Sequence, residues 1–215
     1  MNAHPGTEVN TVNAIVLAAG ASTRMGRQKM LLEFQGQTLI QQVVAQISSS
    51  IPGQVRVVYS KHSKAILDLK WNTSPLFIEN SFPEKGMLES IRVGLREVVQ
   101  SAEAVLIALG DQPVQRPSMI TRLLDAYKKN TDQIIIPSIG DKRGHPIFIP
   151  HRFFKEVLSS YDDQGLRGLL HAHPEAITMV ETHDEEILRD LDTPADLERF
   201  NHMVSKQSDK TLTTS

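Results

Sequence analysis

Short apolar runs bounded by turn residues alternate along this chain with longer segments whose apolar residues recur every three to four positions. The runs are AIVLAA at 14–19, VRVVY at 55–59, LFI at 76–78, AVLIAL at 104–109, III at 134–136, IFI at 147–149 and ITMV at 177–180. Runs this short, apolar without strict alternation, suit strands covered on both faces. The helical segments fall at about 38–49, 62–70, 87–100, 117–129, 151–159, 165–172 and 194–203. In the segment 87–100, Leu88, Ile91, Leu95 and Val98 or Val99 form one stripe, while Glu89, Arg92 and Arg96 fall outside it. That helix is expected to cover a sheet face and to carry its charges elsewhere. Pro117 beside Ser118 and Pro194 beside Thr193 mark helix starts, because a proline in the first turn lacks only an N–H that has no partner there. Strands and helices in this alternation predict an α/β sandwich.

Composition narrows the function classes. With 215 residues and 40% apolar content, one packed core is affordable, and a single domain is expected over 13–203. The polar ends 1–12 and 204–215 lack periodicity and are expected to be flexible tails. Lys and Arg number 23 against 25 Asp and Glu, so no global field favours nucleic acid or a membrane surface, and any attraction for an anion must be local. The absence of cysteine rules out disulfides, thiolate metal sites and a cysteine nucleophile. The run 14–19 is too short to span a bilayer and follows no basic leader, so a cytoplasmic protein is expected.

The first run leads into AIVLAAGASTRMGRQK, residues 14–29. A strand ending in Ala18, Ala19, Gly20, Ala21 and Ser22 brings small residues to the carboxyl edge of a sheet, where backbone N–H groups can approach a ligand closely. Such amides favour phosphate. Arg24 offers a planar fork for phosphate oxygens and Lys29 a compact charge for a phosphoryl group. The spacing is neither G-x-x-x-x-G-K-[ST] nor G-x-G-x-x-G, so by itself it is also compatible with an ordinary strand-to-helix turn. Asp111, at the end of the run AVLIAL, is expected at the same edge, where a carboxylate suits magnesium. An Asp before a helix also serves as a cap, and that role stays open for Asp111 and Asp192.

LAAGASTRMGRQKMLLEFQGQTLI is similar to the nucleotide-binding signature of the MobA-like nucleotidyltransferases, and most similar to that of molybdenum cofactor cytidylyltransferases. The likeness continues in that family's order through GMLESIRVGL (86–95), LGDQP (109–113), RGHPIFI (143–149), DDQGLR (162–167) and DLDTPADL (190–197), covering roughly residues 13–199. The resemblance implies a Rossmann-like three-layer α/β/α architecture, the nucleotide-diphospho-sugar transferase fold, with a mostly parallel mixed sheet. It implies magnesium-dependent transfer of a nucleotidyl group from a nucleoside triphosphate to the phosphate of molybdopterin, with release of pyrophosphate.

It also implies roles for residues. Lys29, Arg24 and Asp111 are the expected catalytic groups. Leu17, Ala18, Ala19, Gly20, Ala21, Ser22, Arg24, Lys29, Asn80 and Ser90 are expected against the nucleotide. Arg143, His145, Asp163 and Arg167 are expected against the acceptor, although Asp162 stands where the family's G-D-x-G-x-R element has glycine. Asp111 and Asp192 are the expected metal ligands, with Asp190 as the rival of Asp192. The family often has tryptophan before the Gly-Met pair, where this chain reads Phe82-Pro83-Glu84-Lys85. The guanylyl branch typically carries Gly-Gly where this chain has Ala19-Gly20, which favours CTP over GTP. The partners implied are CTP and molybdopterin, with a molybdenum enzyme such as a xanthine dehydrogenase as recipient. Guanylyl transfer to molybdopterin, transfer to a sugar or isoprenoid phosphate, and a non-catalytic molybdopterin carrier that delivers the cofactor to a molybdenum enzyme are the alternatives.

Overall fold

The first apolar run forms the middle of the sheet. In the computed structural model, which describes residues 12–20, 29–34, 36–112 and 117–182, β1 (Val12–Leu17) pairs in parallel with β4 (Val55–Tyr59) on one side and β6 (Ala104–Leu109) on the other. The sheet runs in the order β10 (Ile177–Glu181), β7 (Ile134–Ile139), β9 (Ile147–Pro150), β6, β1, β4, β5 (Leu76–Glu79), with the short β8 (Lys142–Arg143) hairpinned onto β7. Only β9 among the long strands runs against its neighbours, pairing antiparallel with β6 and β7. The remaining strands all end at one edge, and that edge carries the residues considered below.

Side chains of the central strands alternate between two cores, as the two-residue period of a pleated strand requires. Ala14, Val16, Ala104, Leu106 and Ala108 meet α1 (Leu39–Ser50) and α3 (Pro117–Lys129). Ile15, Leu17, Val105 and Ile107 meet α2 (Met87–Arg96), α4 (Phe154–Ser159) and α5 (Leu166–Ala172). The result is the expected three-layer, mostly parallel α/β/α arrangement. The side-chain carbonyl of Gln41 accepts from the Thr38 amide at 2.9 Å, which satisfies an N–H ahead of the first turn of α1. On the other face α2 comes very close to β1, because a Cβ built on Gly94 would lie 2.7 Å from Cγ2 of Ile15.

Several elements differ from the expected bounds. The segment 62–70 is a 3-10 helix, Lys61–Asp68, broken at Ser63, where Ser60 and Ser63 bond each other's backbone groups and compete with an α-helical ladder. The helix expected over 87–100 ends at Arg96 and tightens into turns, with Val98 donating to Leu95 at 3.0 Å. The segment 151–159 divides into a 3-10 turn, His151–Phe153, and α4. The two-residue strands β2 (Glu33–Phe34), β3 (Gln37–Thr38) and β8 were not expected, being too short to show a period. The helix expected at 194–203 lies outside the described residues, as do both expected tails. Among the described residues no helix is long and apolar enough to cross a membrane.

One turn positions a wall of the site. After α4 the chain reverses at Tyr161, whose φ of 76° lies in the left-handed region that a bulky residue adopts only when its surroundings hold it there. Its ring occupies the space beside Gly168, where a Cβ would lie 2.3 Å from Cδ1 of Tyr161. Its hydroxyl donates to Glu156, which is also 3.0 Å from Nε2 of His173. The Tyr161 hydroxyl first, and then the His173 ring, hold the Glu156 carboxyl below the ordinary carboxylate value. The same Glu156 bond, with burial, pushes the Tyr161 phenol up to about 12.

Two outcomes are expected. Gly94→Leu forces α2 off β1 and is expected to lower stability by about 1–3 kcal/mol in urea unfolding. Tyr161→Phe is expected to lower it by about 1 kcal/mol near neutral pH. Because folding raises the phenol from 10.0 to about 12, the contribution of its proton is complete below pH 10 and is lost as pH rises to about 12. Urea midpoints of parent and Tyr161→Phe are therefore expected to converge across that window.

Candidate functional site

The parallel strands β1, β4, β5 and β6 deliver small or polar residues to one edge. At the end of β1 the Ala18 amide donates to the Val58 carbonyl at 2.8 Å, and the Leu17 carbonyl accepts from Gly110 at 2.9 Å. The Ala19 carbonyl accepts from the buried Ser60 hydroxyl at 2.8 Å. Leu17 and Ala18 therefore anchor the turn with groups that were expected to face a nucleotide. The amides of Ala19 and Gly20 are the first past the strand without a partner among the described residues. Ala19 is only 4% exposed.

The register Leu17 to Leu109 sets Gly110 and Asp111 next to this turn. Chain connections leave β1 toward β4 on one side and return through β6 on the other, so the gap between β1 and β6 is the switch point at which open α/β sheets bind ligands. Among the described residues no group of three or more His, Asp or Glu side chains gathers as a metal cage. Asp111 at this edge fits an oxygen-preferring divalent cation that takes its other ligands from substrate phosphates and water. Lys29 opens the 3-10 turn Lys29–Leu31 and is 9% exposed. Its neighbour Met30 packs in the core that holds Ala18 and Ile40, which fixes the start of the Lys29 side chain relative to β1.

Asn80 and Ser90 are brought together, but facing each other. The Asn80 amide donates to the Ser90 hydroxyl at 2.9 Å, the Asn80 carbonyl accepts from the Phe82 amide at 2.9 Å, and both side chains are buried. They brace the segment 80–90 instead of presenting a polar edge to a nucleotide. Beyond them Phe82 is exposed, with the Lys85 ammonium 4.6 Å from its ring centroid, so an aromatic-cation pair occupies the region where the family's tryptophan was noted.

Farther along the same edge a cleft of about 710 Å³ opens between the start of α2 and the start of α5. Lys85, Gly86 and Met87 form one wall, and Gln164, Gly165, Arg167 and His171 the other. Arg143 on β8 and His145 in the β8 to β9 connection also line it. Asp163 is exposed on the turn but is not part of the lining, which instead includes Asp162 and Asp141. His171 was missed, although its place four residues after Arg167 puts both on one face of α5. Among the described residues the Lys85, Arg143 and Arg167 cations of the lining outnumber its two carboxylates, and one of these, Asp162, lies 2.5 Å from Arg92. The cleft suits an anionic ligand with an apolar part resting on Met87, Leu88 and Leu170. Ala21, Ser22, Arg24, Asp190 and Asp192 lie outside the described residues.

Comparison with known proteins agrees with this fold. The chain is 27% identical over 202 residues to the nicotine blue oxidoreductase of Paenarthrobacter nicotinovorans, covering 90% of this chain and 98% of that one. It is 32% identical over 142 residues to a probable molybdenum cofactor guanylyltransferase of Natranaerobius thermophilus, covering 65% of each. It is 24% identical over 198 residues to the molybdenum cofactor cytidylyltransferase of Escherichia coli, covering 87% of this chain and 94% of that one. Among solved structures, a Mycobacterium tuberculosis protein superposes with a TM-score of 0.75 at 24% identity, covering 89% of this chain and 98% of that one. The same protein in complex with manganese gives a TM-score of 0.72 at 22% identity, with the same coverage. Residues 14–177 match the MobA-like NTP transferase domain, and the chain belongs to that family as a nucleotidyltransferase.

Proposed function

We propose that this nucleotidyltransferase transfers CMP from CTP to the phosphate of molybdopterin and releases pyrophosphate. The observation that carries the reading is the placing of two sites on one sheet edge: a small-residue turn beside Asp111 for a metal-bound triphosphate, and a cation-rich cleft with an apolar floor for a phosphorylated heterocycle. An acceptor phosphate oxygen forms a bond to the α-phosphorus of CTP, the bond from that phosphorus to the bridging oxygen breaks, and the electron pair leaves with pyrophosphate. The attacking phosphate is already ionised at neutral pH, so no side chain has to remove a proton from it.

The proposed roles rest on the chemistry of each side chain and, for Ala21, Ser22, Arg24 and Asp192, on the sequence resemblance. The amides of Ala19 and Gly20, with Ala21, Ser22 and Arg24, hold the triphosphate. Lys29 offsets charge that builds on the α-phosphate and the leaving pyrophosphate. Asp111, with Asp192 as second carboxylate, would hold magnesium, which neutralises phosphate charge when bound. A manganese complex of a protein of the same fold supports a divalent cation. Arg143, His145 and Arg167 orient the acceptor. Ala19 in place of glycine supports CTP, because a methyl there narrows the base pocket against the larger guanine. A molybdenum enzyme such as a xanthine dehydrogenase, in the cytoplasm, is the consumer this product implies. The near full-length match to an oxidoreductase supports a second reading, redox turnover of nicotine blue, and pyrophosphate release separates the two.

Two measurements test the proposal. With purified molybdopterin, magnesium and each nucleoside triphosphate in turn, pyrophosphate release is expected to favour CTP over GTP by about tenfold or more in kcat/KM. Equal or better use of GTP removes the cytidylyl assignment and leaves the transferase chemistry standing. Lys29→Ala is expected to lower kcat by about 10²-fold with little change in KM for either substrate. Near-normal turnover removes Lys29 from the chemistry.

A further inference from the structure

The helical period of α2 puts Arg92 outside the apolar stripe, yet its side chain is only 11% exposed. It is buried because it reaches across to the end of α4. Its Nε donates to the Val157 carbonyl at 2.9 Å and one terminal nitrogen to the Ser160 carbonyl at 2.7 Å. The other terminal nitrogen donates to the Asp162 carboxylate at 2.5 Å. Val157 and Ser160 offer carbonyls at a helix end that has no following turn to satisfy them, because the chain reverses at Tyr161. A guanidinium meets this need doubly, as a donor fork and as a cation at the negative end of a helix. Glu89, 4.0 Å away and one turn earlier on α2, flanks the guanidinium from its own helix.

The consequence concerns the cleft, because the two elements that Arg92 joins are its two walls. The start of α2 supplies Lys85 to Leu88, and the turn after α4 supplies Asp162, Gln164, Gly165 and the start of α5 with Arg167 and His171. Asp162 is also one of the two carboxylates in the lining. Its side chain is 76% exposed, and its ion pair with Arg92 offsets part of its charge, which leaves Asp141 as the lining carboxylate without that offset among the described residues, facing Arg143, Arg167 and Lys85.

We propose that Arg92 is a positioning residue for the acceptor: by joining α2 to the Ser160–Gly165 turn and holding Asp162, it fixes the spacing of the cleft walls and keeps the cleft attractive to a phosphate. This rests on the reading that the cleft takes the phosphorylated acceptor. Arg92 touches no ligand itself. Lysine does not replace it, because one ammonium on a flexible stem cannot serve two carbonyls and a carboxylate in a fixed plane.

The test uses the full chain as parent, Arg92→Gln, Arg92→Lys, and Arg92→Gln combined with Asp162→Asn. Steady-state pyrophosphate release gives KM for molybdopterin and for CTP. Inorganic phosphate titrations, followed by the amide NMR signals of Gly165, Arg167 and His171, give an affinity that needs no turnover. Arg92→Gln is expected to raise KM for molybdopterin and weaken phosphate binding by about tenfold, with KM for CTP within about twofold. Arg92→Lys is expected to recover little of either. Removing the unpaired carboxylate with Asp162→Asn is expected to restore about half of the lost phosphate affinity on a logarithmic scale, which a merely structural role would not produce.

Phosphate affinity and acceptor KM both within twofold of the parent in Arg92→Gln overturn the inference. An equal rise in both KM values, or no recovery from Asp162→Asn, does the same. If Arg92→Gln does not fold, the Arg92→Lys comparison decides by the same KM split. If the parent does not turn over molybdopterin, the proposed function falls, and the phosphate titrations still decide the role of Arg92.

Discussion

The pairing of β1 on both sides is the constraint from which the rest of the molecule follows. A strand with hydrogen-bonded neighbours at both edges and helices over both faces favours apolar side chains, and every residue of β1 from Val12 to Leu17 is buried. The only polar residue within it, Asn13, is satisfied by the Gln54 amide at 3.0 Å and the Arg56 guanidinium at 2.9 Å. All useful chemistry is therefore displaced to the carboxyl end of the strand. There the ladder itself supplies the anchoring bonds, through Ala18 to Val58 and Gly110 to Leu17. The turn that follows is held by backbone groups that no side-chain substitution removes, and phosphate-binding amides need such a support.

The same sheet explains why the small-residue turn after β1 and the cation-rich cleft lie side by side. Parallel strands bring every connecting loop at their carboxyl ends to one edge, and the reversed strand β9 adds the Arg143 to His145 connection to that edge as well. Asp111 sits between the two regions because β6 lies between β1 and β9. A metal-assisted transfer between two anionic substrates benefits from this order, since charge must be neutralised where the two meet.

The cleft depends on a different kind of support. Its wall after α4 is a turn with a left-handed tyrosine, and such a turn is stable only when fastened from more than one direction. Tyr161 is fastened through Glu156 and His173 within the α4 to α5 unit, and through Arg92 that unit is joined to α2. The wall is therefore bound to the helix that also forms the opposite wall. Spacing in the cleft is a property of this bracing more than of the side chains that line it.

Much of the fold was legible in the sequence. Runs such as AVLIAL and III are apolar at every position, and only strands covered on both faces tolerate that. The start of α3 at Pro117 was legible for a local reason, the missing N–H of proline. The small-residue turn and Asp111 could be placed at one edge because each directly follows such a strand. What the sequence by itself determined was thus whatever depends on periodicity and on neighbours along the chain. Tertiary structure alone decided the rest. Asn80 and Ser90, ten residues apart, are joined by a hydrogen bond between their side chains. Arg92, charged and off the apolar stripe, is buried because helix α4 ends beside it with unsatisfied carbonyls. A helical period tells which face a residue occupies but not what stands opposite that face. The partner comes from a segment about 65 to 70 residues later, and its position is set only when both helices pack on the same side of the sheet.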